Sequence, residues 1–585
     1  MNILRNSGNR LYNLIESFFI IFALMRLFSL HTTDFISIIL FLLIYFSISQ
    51  NRHHFAKGMN THIDEKAASV CSLLFTLFTV LAKCNTLLGD LSSKLFCLII
   101  LVASTVGFLF FYYFITRAIL YLGSMLTVTA DTFSSKKLPV ITFFACMIGW
   151  LPYLLYNYPG VMTPDSINQY AQIIGVYAQS NHHPWMHTLF IHLWYSLGLC
   201  ITNNAVVAIS FYTVFQMCFL ALTASFVIYT LQTVRVKNTI CYIAIAFYAL
   251  MPYNGAFAVT IWKDIMFAAA FTLFSCCMVH FLIINRNLPK SAGLPWLCTL
   301  YVLSGFMVCL FRTNGWYVFL VTLPFLIFTL RDHLKLVIPL NLGLLLLVLF
   351  VKIPLMNIYD VIQPDFAESL SIPAQQIARV YAMNPTVTAE QDAMLQRIID
   401  TSRLAEVYQP DVYDNVKYLL REGDQEYLAA HKADYFKLWI SIGASHPKEY
   451  LDAFVAQTWG YWYPDVPCEI GLDEGIYAND FSLKWTPILK GSLFIKIKEI
   501  IFKLPSMIPL YGLLWSMGSI FWMLILLIAC TIKQENTPFL ILFLPPVALV
   551  GTLCLATPVA AEFRYVYSIF YTIPLYITIP FLPKR

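Results

Sequence analysis

Charge is scarce in this chain. Asp, Glu, Lys and Arg make up 12% of its 585 residues, against about 25% in an ordinary soluble domain. With 59% hydrophobic residues and a mean hydropathy of +0.70, this excludes a soluble globular protein. The apolar/polar alternation over about 10 positions that a membrane β-barrel needs is missing too. There is no CxxC pattern. Nearly all of the 14 cysteines lie inside apolar runs, as Cys276, Cys277 and Cys530 do, and read as small buried hydrophobes; only Cys468 stands in a polar stretch. The sequence holds no internal repeat, no low-complexity tract and no matched pair of Gly/Pro-broken spans of the inverted-repeat transporter kind. The net charge of +5 is spread over short loops, which carries topology and excludes a nucleic-acid partner.

What is present is a series of apolar runs, each long enough at roughly 20 residues to cross a hydrocarbon core about 30 Å thick. The fold class expected is an all-α polytopic membrane protein with about 14 transmembrane helices. Spans are placed near 12–30, 34–50, 68–88, 95–116, 138–156, 205–231, 239–257, 262–284, 294–311, 315–330, 335–354, 507–531, 538–556 and 565–582. The first contains Glu16 and Arg26 and lacks a small-residue cleavage site, so it reads as a retained span and not a signal peptide. Loop charge then sorts to one side. Arg5, Arg10, Arg52, Lys57, Lys66, Arg117, Lys136, Lys137, Arg235, Lys237, Arg286, Lys290, Arg331, Lys335, Lys533, Lys584 and Arg585 share the cytoplasmic face, with both termini. Loop 157–185 and segment 355–505 fall outside. Residues 186–200, MHTLFIHLWYSLGLC, break the count if they cross, so they read as a juxtamembrane or re-entrant helix at the outer surface.

The chain accordingly divides into a four-helix membrane extension (1–137), a membrane core with the external loop 157–200 (138–354), an external, mainly helical domain (355–505) and a three-helix membrane segment (506–585). The external domain holds about two-thirds of the acidic residues. Its AEQDAMLQRIIDTSRLAEVY and DNVKYLLREGDQEYLAAHKADYFKLWISIG have helical spacing of apolar positions.

The stretch 157–188, NYPGVMTPDSINQYAQIIGVYAQSNHHPWMHT, contains no Lys or Arg, one carboxylate, Asp165, and three histidines, His182, His183 and His187. Pro164 suits a helix start, with Asp165 beside exposed N–H groups. Asp165 is then either a helix cap or a general base or metal ligand. His183 and His187 fall near one face of a helix beginning at Pro184. HHPxxxH is not a zinc-hydrolase HExxH, because no Glu follows the first His; histidines donating to a phosphate or carboxylate are the better reading.

Lys263 and Asp264 in TIWKDIMFA, Arg312 and Asn314 in FRTNGWY, and Glu562 and Arg564 in ATPVAAEFRYVY all sit at the outer ends of spans. Singly, each reads as an interfacial pair or a snorkelling side chain. Together, Lys263, Arg312 and Arg564 put cations on the face of Asp165, where positive charge is otherwise sparse. A lipid-linked phosphate requires such a set. In the external domain, SLSIPAQQIARVY offers Gln375, Gln376 and Arg379. WGYWYP could stack on a sugar ring or rest on the headgroup layer.

The run PGVMTPDSINQYAQ…NHHPWMHTLFIHLWYSLG resembles the first external loop of GT-C-fold membrane glycosyltransferases, the superfamily of protein O-mannosyltransferases and aminoarabinose transferases. The shared order is a span, an acidic residue, an HP-containing juxtamembrane helix and a second span. The likeness covers roughly 138–585 and leaves out the first four spans. WKD, FRTNG and EFRY look like a bacterial branch of unknown function. Ser166 stands where many relatives carry a second acid.

The resemblance implies a GT-C-like core and an inverting transfer in the bacterial cell membrane. Asp165 would be the general base or a ligand of a divalent cation, Mg or Mn. His183 would stabilise the leaving phosphate or orient Asp165. Lys263, Arg312, Arg564 and His182 would hold the phosphate of a polyprenyl-phosphate sugar donor. Gln169, His187, Asp264, Asn314, Glu562 and Tyr565 are the further side chains expected around the substrates. The acceptor expected is a cell-envelope glycan, lipid or protein, with membrane lipids around the spans. Two other readings stand beside this one. A transporter or flippase of lipid-linked glycans would carry charges deep in several spans. A non-catalytic assembly protein would tolerate Asp165→Asn.

Overall fold

Inside a bilayer no water pairs with the backbone, so an apolar run must satisfy its own N–H and C=O groups, and it does so as a helix. In the computed structural model every regular element among the described residues is helical. The structure describes all residues except 1, 32, 59–61, 90–91, 130–136, 288–292, 384–385, 467, 469, 472 and 583–585, and describes no side chains for 2–9, 51–58, 62–63 and 284–287. The inner-face charges Arg5, Arg52, Lys57, Lys136, Arg286, Lys290, Lys584 and Arg585 therefore lie outside the described side chains.

Among the described residues, eight helices are long and apolar enough to cross a membrane, and nine if one bent pair is counted as a span. The bent pair is Asn238–Leu250 with Pro252–Ala258, broken by 53°, where Pro252 removes a backbone donor. Phe35–Gln50, Thr313–Thr329 and Met517–Lys533 are shorter apolar helices.

The chain forms two compact units. The first comprises Met1–Thr127, Phe521–Leu540 and Ile579–Arg585, the second Val128–Ile520 and Ile541–Thr578. The C-terminal segment 506–585 is thus shared between them. The first unit packs its N-terminal helices around Ala23, Phe75, Phe108 and Tyr112, with Ala529 and Cys530. Helices Asn2–Leu27 and Lys94–Met125 approach so closely at Gly107 that a Cβ there would collide with the Phe19 carbonyl.

In the second unit, the buried helix Lys263–Asn287 packs against Leu294–Phe311, Tyr567–Thr578 and Ala205–Thr233. Residues 366–450 close over a core of their own that includes Leu370, Ile377, Leu395, Val416, Leu420 and Ile442. The apolar periodicity of that stretch becomes the short helices Ser371–Met383, Asp414–Glu422 and Lys432–Ser445. Segments 157–185, 355–505 and 556–566 gather together. Ile362 exchanges backbone hydrogen bonds with Gln179 and Asn181, and Ala560 N–H donates to Asp411 O.

Candidate functional site

Three short extended segments lie side by side and assemble the site. Val161 N–H donates to Val259 O at 2.9 Å, and Ile261 N–H donates back to Val161 O at 2.9 Å. On the other side Met162 N–H donates to Gly475 O at 2.8 Å and Tyr477 N–H to Met162 O at 3.0 Å. Asp165 follows the first segment, Lys263 the second, and Asp473 precedes the third. Gly160 makes the approach possible: its φ is +152°, and a Cβ there would meet Thr213 Oγ1 at 2.5 Å. Gln216 Nε2 satisfies the carbonyls of Ala258 at 3.0 Å and Thr260 at 2.8 Å where the bent helix ends.

Helix Pro164–Ile173 starts with Pro in its first turn, as the sequence suggests, and Asp165 sits in that turn. The N-terminal dipole favours its charge, but the carboxylate has stronger partners. Arg564 Nη1 donates to Asp165 Oδ2 at 3.1 Å, and Lys263 Nζ stands 4.0 Å from the same oxygen. Burial pushes the Asp165 carboxyl up, but Lys263 and Arg564 outweigh it and hold it down to about 2. Ser166 Oγ donates to Ile261 O at 2.5 Å, so the residue in place of a second acid ties the loop to the segment before Lys263.

Lys263 Nζ also donates to His183 Nδ1 at 3.1 Å. Burial, and then the Lys263 charge, push this imidazole down to about 2, so it is neutral and carries its proton on Nε2. His182 points elsewhere, with Nδ1 3.6 Å from Glu368, which is itself bonded to Arg421 at 2.5 Å. His187 is fully buried. Its Nε2 meets Tyr212 OH at 2.8 Å and its Nδ1 meets the Gln169 amide at 3.1 Å. Burial pushes it down to about 3. Gln169 also donates to Thr188 Oγ1 at 2.9 Å. These two residues brace helix Pro164–Ile173 against helix Trp185–Thr202.

The C-terminal contribution is the turn Phe563–Val566. The Arg564 guanidinium lies over the Trp262 ring at 4.6 Å, and its Nε is 3.6 Å from Glu562 Oε1. Arg312 holds the turn from behind. It pairs with Asp264 at 2.6 Å, donates to Tyr565 O at 3.1 Å and stacks on the Tyr565 ring at 4.7 Å. Asn314 Nδ2 donates to Thr552 Oγ1 at 2.8 Å, outside the cavity. The aromatic run WGYWYP serves the same turn: Tyr461 OH donates to Val559 O at 2.8 Å, and Tyr461 and Trp462 are buried.

Asp165, Arg564 and Glu562 line a polar cavity of about 530 Å³ together with Trp262, Asp473 and Tyr477. Asp473 and Tyr477, hydrogen-bonded to each other at 2.8 Å, escaped the sequence reading. They lie in a stretch with neither helical nor strand period. The cavity shares Phe257, Trp262, Gly471 and Asp473 with an apolar groove of about 260 Å³. The groove runs between helix Leu138–Asn157, through Pro152 and Tyr153, and helix Ser492–Met507, through Phe494, Ile497, Ile501 and Phe502.

A divalent cation does not fit Asp165 in this arrangement. The carboxylate is flanked by two cationic side chains, and the described residues bring together no group of three or more His, Cys, Asp or Glu suited to a metal.

The molecule is thus a helical, multi-span membrane protein with a charged cavity opening onto an apolar groove. The chain belongs to the DUF6020 family, a family of unknown function, which it matches over residues 177–582. That stretch contains His183, Lys263, Arg312, Glu562 and Arg564 and begins after Asp165. No curated protein and no solved structure is detectably similar to it.

Proposed function

We propose that the chain is a GT-C-type membrane glycosyltransferase. It moves a sugar from a polyprenyl-phosphate-linked donor to a glycan, lipid or protein acceptor of the cell envelope. The site faces outward and both termini face the cytoplasm.

One observation carries this reading: a polar cavity lined by Arg564 and Asp165, with Lys263 Nζ 4.0 Å from the Asp165 carboxylate, shares walls with an apolar groove. A lipid-linked phosphate needs cations at its head and a hydrocarbon trough behind it. In the transfer, the acceptor oxygen attacks the anomeric carbon. The bond from that carbon to the phosphate oxygen breaks, and its electron pair stays on the phosphate. Lys263 and Arg564 stabilise the charge that develops there. The Trp262 ring fixes the plane of the Arg564 guanidinium. His183, neutral, aims the Lys263 ammonium. Arg312 acts from behind the turn and does not touch the phosphate, because its guanidinium is taken up by Asp264 and Tyr565.

The test is mass spectrometry of glycans and lipid-linked sugars from cells carrying Lys263→Ala or Arg564→Ala, compared with wild type and with cells lacking the protein. The expected result is a missing decoration with its lipid-linked donor accumulating. Identical profiles in wild type and in cells lacking the protein, when the wild-type chain is present in the membrane, overturn the reading.

A further inference from the structure

Within that transfer reaction, on which this inference rests, we infer that the general base for the acceptor hydroxyl is Glu562 and not Asp165.

A general base must have a lone pair to offer and an affinity for protons near the working pH. Asp165 meets the second condition poorly. Its Oδ2 accepts from Arg564 at 3.1 Å and faces Lys263 at 4.0 Å. Those two charges hold it well below the usual carboxylate range, against the effect of burial. It anchors the cations.

Glu562 lines the same cavity. Its nearest cation is Arg564 Nε at 3.6 Å, beyond hydrogen-bond distance. That Nε is buried and has no hydrogen-bond partner among the described residues. The Glu562 carboxylate also faces the Arg564 backbone N–H, and its own backbone N–H is fixed on Tyr461 OH at 3.4 Å. Burial pushes its carboxyl up, and Asp264 and Asp473 add to this against the opposing pull of Arg564.

One guanidinium therefore stands between two carboxylates with different tasks. Asp165 is hydrogen-bonded to its Nη1 end, and Glu562 lies 3.6 Å from its Nε end. Arg564 and Glu562 both line the one cavity that takes the phosphate and the hydroxyl, while Lys263 acts from beside Asp165. The hydroxyl proton passes to a Glu562 oxygen as the new carbon–oxygen bond forms and the phosphate departs with the old bonding pair. Glu562, 30% exposed, then returns the proton to water.

The test uses the full chain in two settings. Product and lipid-linked donor are profiled in cells, and binding of a polyprenyl monophosphate probe is measured on protein in lipid nanodiscs. Glu562→Gln is expected to lower product at least ~100-fold with probe affinity within about twofold of wild type. Glu562→Gln that keeps a tenth or more of the product overturns the assignment. So does a loss of probe binding that accounts for the lost product. If Glu562→Gln does not reach the membrane, Glu562→Asp decides, since it keeps the carboxyl but retracts it. A lowered rate with unchanged probe binding supports the base, and a wild-type rate overturns it. Lys263→Ala is the separate control. If it lowers product while Glu562→Gln does not, the base assignment fails and the transfer reading survives. If cells lacking the protein match wild type, both fail.

Discussion

Arg312 Nη1 stands 2.6 Å from Asp264 Oδ1, with 7% and 1% of the two side chains exposed. The pair joins the start of helix Lys263–Asn287 to the turn that carries Arg564, because Arg312 also donates to Tyr565 O. Removing one member of such a pair leaves an uncompensated buried charge, at a cost of about 3–5 kcal/mol. Arg312→Met and Asp264→Leu are each expected to lower the thermal midpoint in detergent sharply. The double variant should melt above either single one. A double variant that melts at the sum of the two losses shows that the charges do not compensate each other.

The acid limb of the transfer rate reports which carboxylate is the base. A base works only when deprotonated, so the rate falls as pH drops through its pKa. Glu562 faces Arg564, Asp264, Asp473, Tyr461 and Tyr565, and burial raises it above its ordinary 4.5. The limb is therefore expected above pH 4.5. A rate that holds down toward about 2, where Lys263 and Arg564 keep Asp165, points to Asp165 as the base.

His187 makes the fold sensitive to acid. In the folded chain burial holds it down to about 3, against an ordinary 6.5. Between those values the unfolded chain binds the proton and the folded chain does not. Its stability contribution is therefore present above 6.5 and is lost as pH falls. The thermal midpoint in detergent should drop from pH 7.5 to 5.5, and the drop should be smaller in His187→Gln. An equal drop in the two proteins removes His187 as a cause.

Gly460 sits against the segment that leads to Glu562. A Cβ there would collide with the Ala560 carbonyl and meet Ala561 Cβ at 3.0 Å. Gln457 Nε2, one turn earlier in helix Pro447–Trp462, donates to Thr557 O at 2.7 Å, so the segment cannot simply swing away. Gly460→Ala is expected to cut transfer severely while the chain still reaches the membrane. Transfer at the wild-type level would show that the segment moves without consequence for Glu562.

Part of this site was legible in the sequence. Lys263 and Arg564 stood out because a charge at the end of an apolar run is costly unless it is paired or faces a cavity, and they do converge on Asp165. Arg312 looked the same in sequence, and only its neighbours separate it: it faces Asp264 behind the turn, whereas Arg564 lines the cavity. His182 and His183 are adjacent in sequence but diverge, one to Glu368 and the other to Lys263. The paired segments around Val161, Thr260 and Ile476 were invisible, since stretches so short leave no period to read. Hydropathy reads 239–257 as one span, but it cannot see the 53° bend at Pro252.

The parts of this cavity are made far apart in time. Asp165 and Arg564 are 399 positions apart in sequence and 3.1 Å apart in space. Lys263, the other cation on the Asp165 carboxylate, is synthesised long before Arg564. A chain interrupted between Lys263 and Glu562 therefore keeps most of its apolar length but lacks two of the charged walls of the cavity.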